Sequence, residues 1–301
     1  MVLPSFLQPG DRIAMVSVAG KVSREIVESA KELLEAEKFV VETGPHSFGS
    51  FHMFSGTDAE RAHELQQALD DPGVKAICFN RGGYGSLRTL MLLDWTAFML
   101  HPKWLIGFSD ITVFHAHLSK QNIASIHGVM PSFFFENGQR TESLDIMLDL
   151  LRGKALKYEI PPHDFNRLGR ASGTLVGGNL SLLYSLRGTS LDQSLDGKVL
   201  FLEDIAEYDY HLDRMMMNLK FGGLLANLAG LVVGYFTDTK SGPVAFGSSS
   251  AEIILDAVSG YGYPVVFGFP AGHELPNFPL MMGAEIVMDV KGEAVRISQT
   301  F

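Results

Sequence analysis

The 301-residue sequence has little cysteine and no cluster of basic residues. Cys78 is the single cysteine, which excludes an internal disulfide and a thiolate metal cage. Its place in the apolar run 74–79 is typical of a small, buried hydrophobic residue. The net charge is −10, and lysine and arginine are spread along the chain. We therefore expect neither nucleic acid nor an anionic membrane surface as a partner, since both require a basic patch.

Long apolar runs are also missing. No stretch approaches the roughly 20 residues needed to span a bilayer. Residues 1–11 lack the positively charged region and apolar core of a signal peptide. We therefore expect a cytoplasmic protein. The composition, 46% hydrophobic and 19% charged, is that of an ordinary globular enzyme.

The first half of the sequence alternates strand and helix patterns. Apolar strands are predicted at 12–18, 40–43, 74–79 and 104–108, with helices between them. The pair Thr57 and Glu60 is a capping-box signature that predicts a helix start. This alternation predicts an α/β fold with a parallel sheet covered on both faces, flavodoxin- or Rossmann-like.

A change of composition divides the chain. Residues 151–170 contain prolines and little periodicity, which predicts a linker. We therefore predict an N-terminal α/β domain over 1–150, a linker over 151–170, and a smaller α/β C-terminal domain over 171–301. The second half has its own strand patterns at 174–176, 198–202, 230–236, 264–267 and 284–289.

Ser109 follows an apolar strand and Gly107, and a helical pattern begins after it. A serine at such a turn projects its hydroxyl above the carboxyl edge of a parallel sheet. The N–H of Asp110 can then point at a developing oxyanion. The segment is similar to the G-x-S-x-G nucleophile elbow but lacks the second glycine. From this segment alone, a nucleophile and a helix-capping serine are equal alternatives.

A glycine turn, Arg81-Gly82-Gly83-Tyr84-Gly85, follows the strand at 74–79. Adjacent glycines let the backbone approach a ligand and present free N–H groups. The turn has neither dinucleotide-binding nor P-loop spacing, so we expect no nucleotide cofactor. An oxyanion donor at Gly82 or Gly83 is the functional interpretation, and a plain tight turn is the alternative.

An acid and a base can be assigned in the second half. Glu203 and Asp204 follow an apolar strand, where Glu203 could orient an imidazolium. His273 lies after another strand in a Gly- and Pro-rich loop, which can present a general base rigidly. The order Ser109, Glu203, His273 is that of the α/β-hydrolases. No His-Glu-x-x-His motif or Cys/His cluster occurs, so we expect no metal.

Six motifs, in order along nearly the whole chain, resemble those of the LD-carboxypeptidases, a family of serine peptidases. They are Arg81–Gly85, Gly107–Thr112, His127-Gly128, Gly177–Ser181, Leu202–Asp204 and Gly272–Asn277. The resemblance implies that Ser109 is the nucleophile, His273 the general base and Glu203 its orienting acid. It places the oxyanion donors on the N–H groups of Asp110 and the Gly82–Gly83 turn.

The resemblance also implies an activity. The family's muropeptide carboxypeptidases release terminal D-alanine from tetrapeptides in cytoplasmic cell-wall recycling, without a metal or cofactor and as homodimers. The substrate would be a small peptide whose terminal carboxylate needs a partner, for which Arg81 and Arg214 are candidates, with Tyr84 as a further substrate-binding residue. The alternatives are a microcin-C-immunity-like hydrolase of aminoacyl-nucleotide compounds and a catalytically silent binding protein.

Overall fold

The structure, a computed structural model, describes residues 1–300 and divides into two compact units. The first unit comprises Met1–Lys154 and Phe278–Met281. The second comprises Ala155–Asn277 and the described chain from Met282 onward. The chain thus leaves the second unit once, after Asn277, to supply a short segment of the first.

The first unit is an α/β layer structure with a parallel sheet. Its strands β1 to β5 pair in the order β2-β1-β3-β4-β5, with each neighbouring pair parallel. This is the flavodoxin-like order, in which ligands bind at the carboxyl ends of the strands near the switch between β1 and β3. The strands are β1 (Arg12–Val16), β2 (Val40–Thr43), β3 (Val74–Phe79), β4 (Trp104–Gly107) and β5 (Ser125–His127).

The helices of the first unit start at the caps that the sequence offers. Ser23 caps α1, and the capping box of Thr57 and Glu60 opens α2 as predicted. The helices are α1 (Arg24–Ala36), α2 (Asp58–Asp70), α3 (Ser86–Leu90), α4 (Thr96–Leu100), α5 (Thr112–Lys120) and α6 (Glu142–Leu151). A small hairpin of β6 (Phe135–Glu136) and β7 (Gln139–Arg140) precedes α6.

The second unit is built on a mixed sheet. Its strands are β8 (Leu156–Ile160), β9 (Gly169–Asn179), β10 (Val199–Ile205), β11 (Gly230–Thr237), β12 (Val265–Val266), β14 (Glu285–Val290) and β15 (Val295–Gln299). They pair in the order β12-β11-β10-β9-β14-β15-β8. The half from β9 to β12 is parallel and the other half antiparallel. The remaining strand, β13 (Leu280–Met282), instead pairs with β5 in the sheet of the first unit.

Three helices accompany the second sheet, and they supply much of its apolar core. They are α7 (Leu180–Ser185), α8 (Asp209–Phe221) and α9 (Ser250–Val258). Leu212 and Met216 of α8 and Ile254 of α9 are buried with Leu200 and Leu202 of β10. Because β10 is buried along almost its whole length, a charged side chain near its end needs a polar partner.

The α/β prediction is confirmed, and one part of the linker prediction is wrong. The range 151–170 contains β8, an edge strand in which Leu156, Tyr158 and Ile160 are buried and the residues between them are exposed. The alternation of buried and exposed residues covers only five residues, and prolines follow it at once. The pattern is therefore too short to predict a strand from the sequence. Within the described part of the chain, no helix has the length and apolar character needed to cross a membrane.

Candidate active site

Ser109 lies on a sharp turn directly after β4. It is the first residue of a short 3-10 turn, Ser109–Ile111, and its φ is +63°, in the left-handed region. Such backbone strain at a serine between a strand and a helix is the signature of a nucleophile elbow. A helix-capping serine would normally have extended backbone and would directly precede the helix, whereas the N-cap position of α5 is Ile111, two residues after Ser109. The backbone therefore favours the nucleophile over the helix cap.

The glycine turn lies against Ser109. A Cβ placed on Gly82 would be 3.1 Å from Ser109 Cβ, 3.3 Å from Ser109 Oγ and 3.4 Å from the backbone nitrogen of Asp110. The carbonyl of Gly82 accepts a hydrogen bond of 3.0 Å from the N–H of Gly20, just after β1. The turns after β1, β3 and β4 thus meet at the carboxyl edge of the sheet, where open α/β folds bind ligands.

Asp110 connects the turn that carries Ser109 with the start of α3. Its carboxylate is buried and accepts a hydrogen bond of 2.7 Å from the N–H of Ser86. Burial raises the pKa of Asp110, although the bond from Ser86 and the charge of Arg61 act in the opposite direction. The sequence predicts a role only for the N–H of Asp110, so the side-chain contact is an addition from the structure.

Glu203 and His273 form a hydrogen-bonded pair in the second unit. The ring nitrogen Nδ1 of His273 is 2.7 Å from Glu203 Oε2, and the Glu203 side chain is completely buried. Because the carboxylate can only accept, Nδ1 carries the proton of this hydrogen bond, and in the neutral ring Nε2 is the nitrogen that can accept a proton. Burial lowers the pKa of His273, but the hydrogen bond and charge of Glu203 outweigh it, so the pKa is raised above its usual value of 6.5.

The sheet itself directs Glu203 toward the histidine loop. The register of β10 against β11 shifts between Leu202 and Asp204, so Glu203 lies at an irregularity of the ladder. Such bulges re-aim side chains beside active sites. A Cβ on Gly272, whose φ is +138°, would lie 3.3 Å from Glu203 Oε2. The glycine therefore lets the backbone before His273 pass close to the carboxylate.

Asp204, the second acid, faces a different set of partners. Its carboxylate accepts hydrogen bonds of 2.8 Å from the side-chain amide of Asn179 and from the N–H groups of Ser181 and Ile205. Burial and the neighbouring charge of Glu203 raise the pKa of Asp204 to about 7. Asp204 therefore holds the turn into α7, and of these two neighbouring acids Glu203 is the one that is hydrogen-bonded to His273.

The predicted substrate-binding residues lie on the surface of their units. Arg81 is exposed and donates a hydrogen bond of 2.7 Å to the carbonyl of Lys21. Tyr84 is exposed, with its ring centroid 6.0 Å from that of Phe54. Arg214, on α8, lies over the ring of Tyr210. Among residues 1–300 neither arginine has an ion pair, so both guanidinium groups could pair with a carboxylate.

The sequence analysis assigned no individual role to two buried polar residues, Arg61 in the first unit and Asn277 in the second. Arg61 lies within α2, in a sequence rich in charged residues that gives no sign of burial, yet it is completely buried. Its Nη1 donates hydrogen bonds to the carbonyl of Gly85 (3.0 Å) and to Thr89 Oγ1 (2.7 Å). Asn277, also buried, accepts a hydrogen bond of 3.0 Å from the N–H of Gly272 and so closes the loop that carries His273.

Metal-ligating side chains do not converge in the described part of the chain. Over residues 1–300, no three His, Cys, Asp or Glu side chains are placed to hold one ion. The groups that are arranged for chemistry are a strained serine with backbone N–H groups beside it, and a histidine held by a buried carboxylate. These are the parts that serine-dependent acyl transfer uses.

Family comparisons agree with the two-unit architecture. Residues 13–128 match the LD-carboxypeptidase N-terminal domain, and residues 172–288 match the LD-carboxypeptidase C-terminal domain. A putative carboxypeptidase of Synechocystis is 33% identical over 98% of this chain and 96% of its own length. A probable murein peptide carboxypeptidase of Bacillus subtilis is 31% identical over 95% of this chain and 91% of its own.

Solved structures give the same result for the fold. The crystal structure of muramoyltetrapeptide carboxypeptidase from Oxalobacter formigenes superposes with a TM-score of 0.87 at 27% identity, covering 96% of this chain and 99% of its own. The microcin C7 self-immunity protein of Escherichia coli is a more distant relative, 23% identical over 90% of this chain and 87% of its own. The two domain matches and the full-length relatives together show that the chain belongs to the LD-carboxypeptidase family of hydrolases.

Proposed function

We propose that the protein is a serine carboxypeptidase that hydrolyses the L,D-peptide bond before the terminal D-alanine of muropeptide tetrapeptides. The observation that carries the proposal is the left-handed backbone of Ser109 directly against Gly82. Two relatives, named as a probable murein peptide carboxypeptidase and a muramoyltetrapeptide carboxypeptidase, support this substrate class.

In the proposed mechanism, Nε2 of His273 accepts the proton of Ser109 as the serine oxygen attacks the scissile carbonyl carbon. The N–H of Asp110 and an N–H of the Gly82–Gly83 turn stabilise the oxyanion, and each such donor is worth about 3–4 kcal/mol in the transition state. The pair with Glu203 stabilises the imidazolium that forms. The imidazolium then protonates the departing amine of D-alanine, and water hydrolyses the acyl-enzyme.

The terminal carboxylate of the substrate requires a cation, and we propose Arg81 and Arg214 for this role, with Tyr84 as a further contact. A guanidinium can form two parallel hydrogen bonds with a carboxylate. If Arg81 or Arg214 binds the carboxylate, its replacement by alanine will raise KM and leave kcat near the wild-type value. Arg24 is exposed and pairs with Glu28 on α1, so Arg24→Ala is the matched control.

The test of the function is release of D-alanine from L-Ala-γ-D-Glu-meso-diaminopimelate-D-Ala, measured with and without EDTA. We expect release by the wild-type protein in both conditions and none by Ser109→Ala. Release that persists in Ser109→Ala, or that EDTA abolishes, contradicts the serine mechanism. An intact tetrapeptide together with cleavage of an aminoacyl-sulfamoyl adenosine would favour the microcin-immunity branch instead. Cleavage of neither, with no labelling by a fluorophosphonate, would indicate a catalytically silent relative.

We further propose that the protein is a cytoplasmic homodimer, as the family resemblance implies. Light scattering coupled to size-exclusion chromatography should give about twice the chain mass of 33.0 kDa. Cell fractionation should recover the protein with cytoplasmic markers. A mass near that of one chain, or recovery with membranes, would contradict these two statements independently of the activity.

A further inference from the structure

One peptide group of the first unit is held at both ends by buried side chains of opposite charge. The peptide joining Gly85 to Ser86 has its carbonyl bound by Arg61 Nη1 at 3.0 Å. Its N–H is bound by Asp110 Oδ2 at 2.7 Å. Arg61 is 0% exposed and Asp110 is 1% exposed, so neither bond is open to exchange with solvent.

This peptide fixes the end of the glycine turn. Gly85 has a φ of +128°, and a Cβ there would lie 2.7 Å from Arg61 Nη1. The turn therefore reaches the guanidinium closely because position 85 is glycine. Four further hydrogen bonds hold Arg61 itself. Nε donates to the carbonyl of Gly56 at 3.1 Å and Nη1 donates to Thr89 Oγ1 at 2.7 Å, and the guanidinium also donates to the carbonyl of Val18 and to the carboxylate of Asp58.

The carboxylate that binds the Ser86 N–H belongs to the turn Ser109–Ile111, here called the nucleophile turn. Asp110 directly follows Ser109, and its backbone nitrogen lies near Gly82. The residue thus belongs to the nucleophile turn through its backbone and to the glycine turn through its side chain. The two proposed oxyanion donors come from these two turns, and the hydrogen bond from Ser86 N–H to Asp110 is a direct link between the turns.

We propose that the Asp110 carboxylate is a positioning residue: with Arg61, it clamps the Gly85–Ser86 peptide and thereby sets the glycine turn against Ser109 at the spacing that oxyanion binding needs. The inference rests on the proposed serine mechanism. Displacement of a catalytic group by about 1 Å can cost about 10²-fold in rate, so loss of the clamp should affect kcat far more than KM.

The test compares Asp110→Ala, Asp110→Asn and a control variant by the rate constant of Ser109 labelling with a fluorophosphonate. This reaction does not depend on the peptide substrate, and a rate constant, unlike an amplitude, is insensitive to the fraction of folded protein. The control is Asp94→Ala, which removes an exposed carboxylate that accepts the Thr96 N–H at 2.9 Å at the start of α4.

We expect the rate constant of Asp110→Ala to fall about 10²-fold, whereas Asp110→Asn, which keeps an acceptor oxygen, retains most of it. Asp94→Ala should label like the wild type. Amide hydrogen exchange in the peptide covering residues 80–86 should be faster in Asp110→Ala only. The proposal is overturned if Asp110→Ala is labelled with the wild-type rate constant. It is also overturned if amide exchange over residues 80–86 in Asp110→Ala is as slow as in the wild type.

The same experiment separates this inference from the proposed function. If the wild-type protein labels but releases no D-alanine, the substrate assignment fails and the labelling comparison still decides the role of Asp110. If the wild-type protein is not labelled, the serine mechanism fails, and the exchange measurement alone tests whether Asp110 clamps the peptide. Faster exchange in Asp110→Ala then supports the clamp, and unchanged exchange overturns it.

Discussion

Replacing Gly82 by alanine should lower kcat strongly and leave the fold intact. The added methyl would lie 3.1 Å from Ser109 Cβ and 3.3 Å from Ser109 Oγ, closer than the 3.5–4.0 Å or so of an ordinary carbon contact. It would also lie 3.4 Å from the backbone nitrogen of Asp110. An oxyanion must come within about 2.7–3.1 Å of that nitrogen, so the methyl competes for the same space.

The magnitude follows from the donor that would be lost. Removal of one oxyanion donor costs about 2.7–4 kcal/mol, or about 10²–10³-fold in kcat. The stability change should be small, because Gly82 lies outside the left-handed region. Alanine there restricts the unfolded chain, a gain of about 0.4–1 kcal/mol, which offsets the cost of the tight contact. We expect the free energy of unfolding to change by less than about 1 kcal/mol.

The assay is kcat for D-alanine release, with the thermal midpoint measured on the same preparations. Gly262→Ala is the matched control, because a methyl there meets nothing within 4 Å and the backbone is again outside the left-handed region. It should keep wild-type activity. Near-wild-type kcat in Gly82→Ala would refute the placement of the oxyanion beside Gly82. An equal loss of activity and folded protein would show that the methyl disturbs the fold instead.

Further predictions concern the base, the cysteine and the second sheet. Since Glu203 raises the pKa of His273 and the base must be neutral, kcat/KM should fall as the pH drops through a value above 6.5. Glu203→Gln should lower kcat and move this acid limb to lower pH, and an unmoved limb would contradict the pairing. Burial raises the pKa of Cys78 to about 12, so iodoacetamide should modify it only in denaturant, as followed by mass spectrometry. Gly177→Ala should give little soluble protein, because the added Cβ would lie 2.0 Å from a carbonyl oxygen of β10. Its control is Gly188→Ala, which should express normally because the added Cβ would have no atom within 4 Å.

The linear sequence carries the features that depend on neighbours along the chain. The alternation of apolar strands and amphipathic helices predicts the α/β fold, because burial of one helix face requires that spacing. Caps such as Thr57 with Glu60 mark helix starts, since both partners lie within one turn. The sequence also indicates Ser109, Glu203 and His273 as candidates, because each follows a predicted strand in a turn or loop.

Side-chain partners from distant parts of the chain could not be predicted in this way. Arg61 reaches the carbonyl of Gly85 across 24 residues, and within α2 its sequence context is that of a solvated helix. Glu203 and Asp204 are neighbours in sequence, but successive side chains of a strand point to opposite sides. Glu203 is therefore hydrogen-bonded to His273, and Asp204 accepts a hydrogen bond from the start of α7.

The sequence by itself thus determined the fold class, the family motifs and the chemical types at the site. Tertiary structure decided which groups Asp204 binds, which carboxylate ties the two turns together, and that Leu156–Ile160 is an edge strand. The physical reason is range. Periodicity and capping act over a few residues, whereas burial, pKa shifts and hydrogen bonds across 24 or 70 positions exist only once the chain has folded.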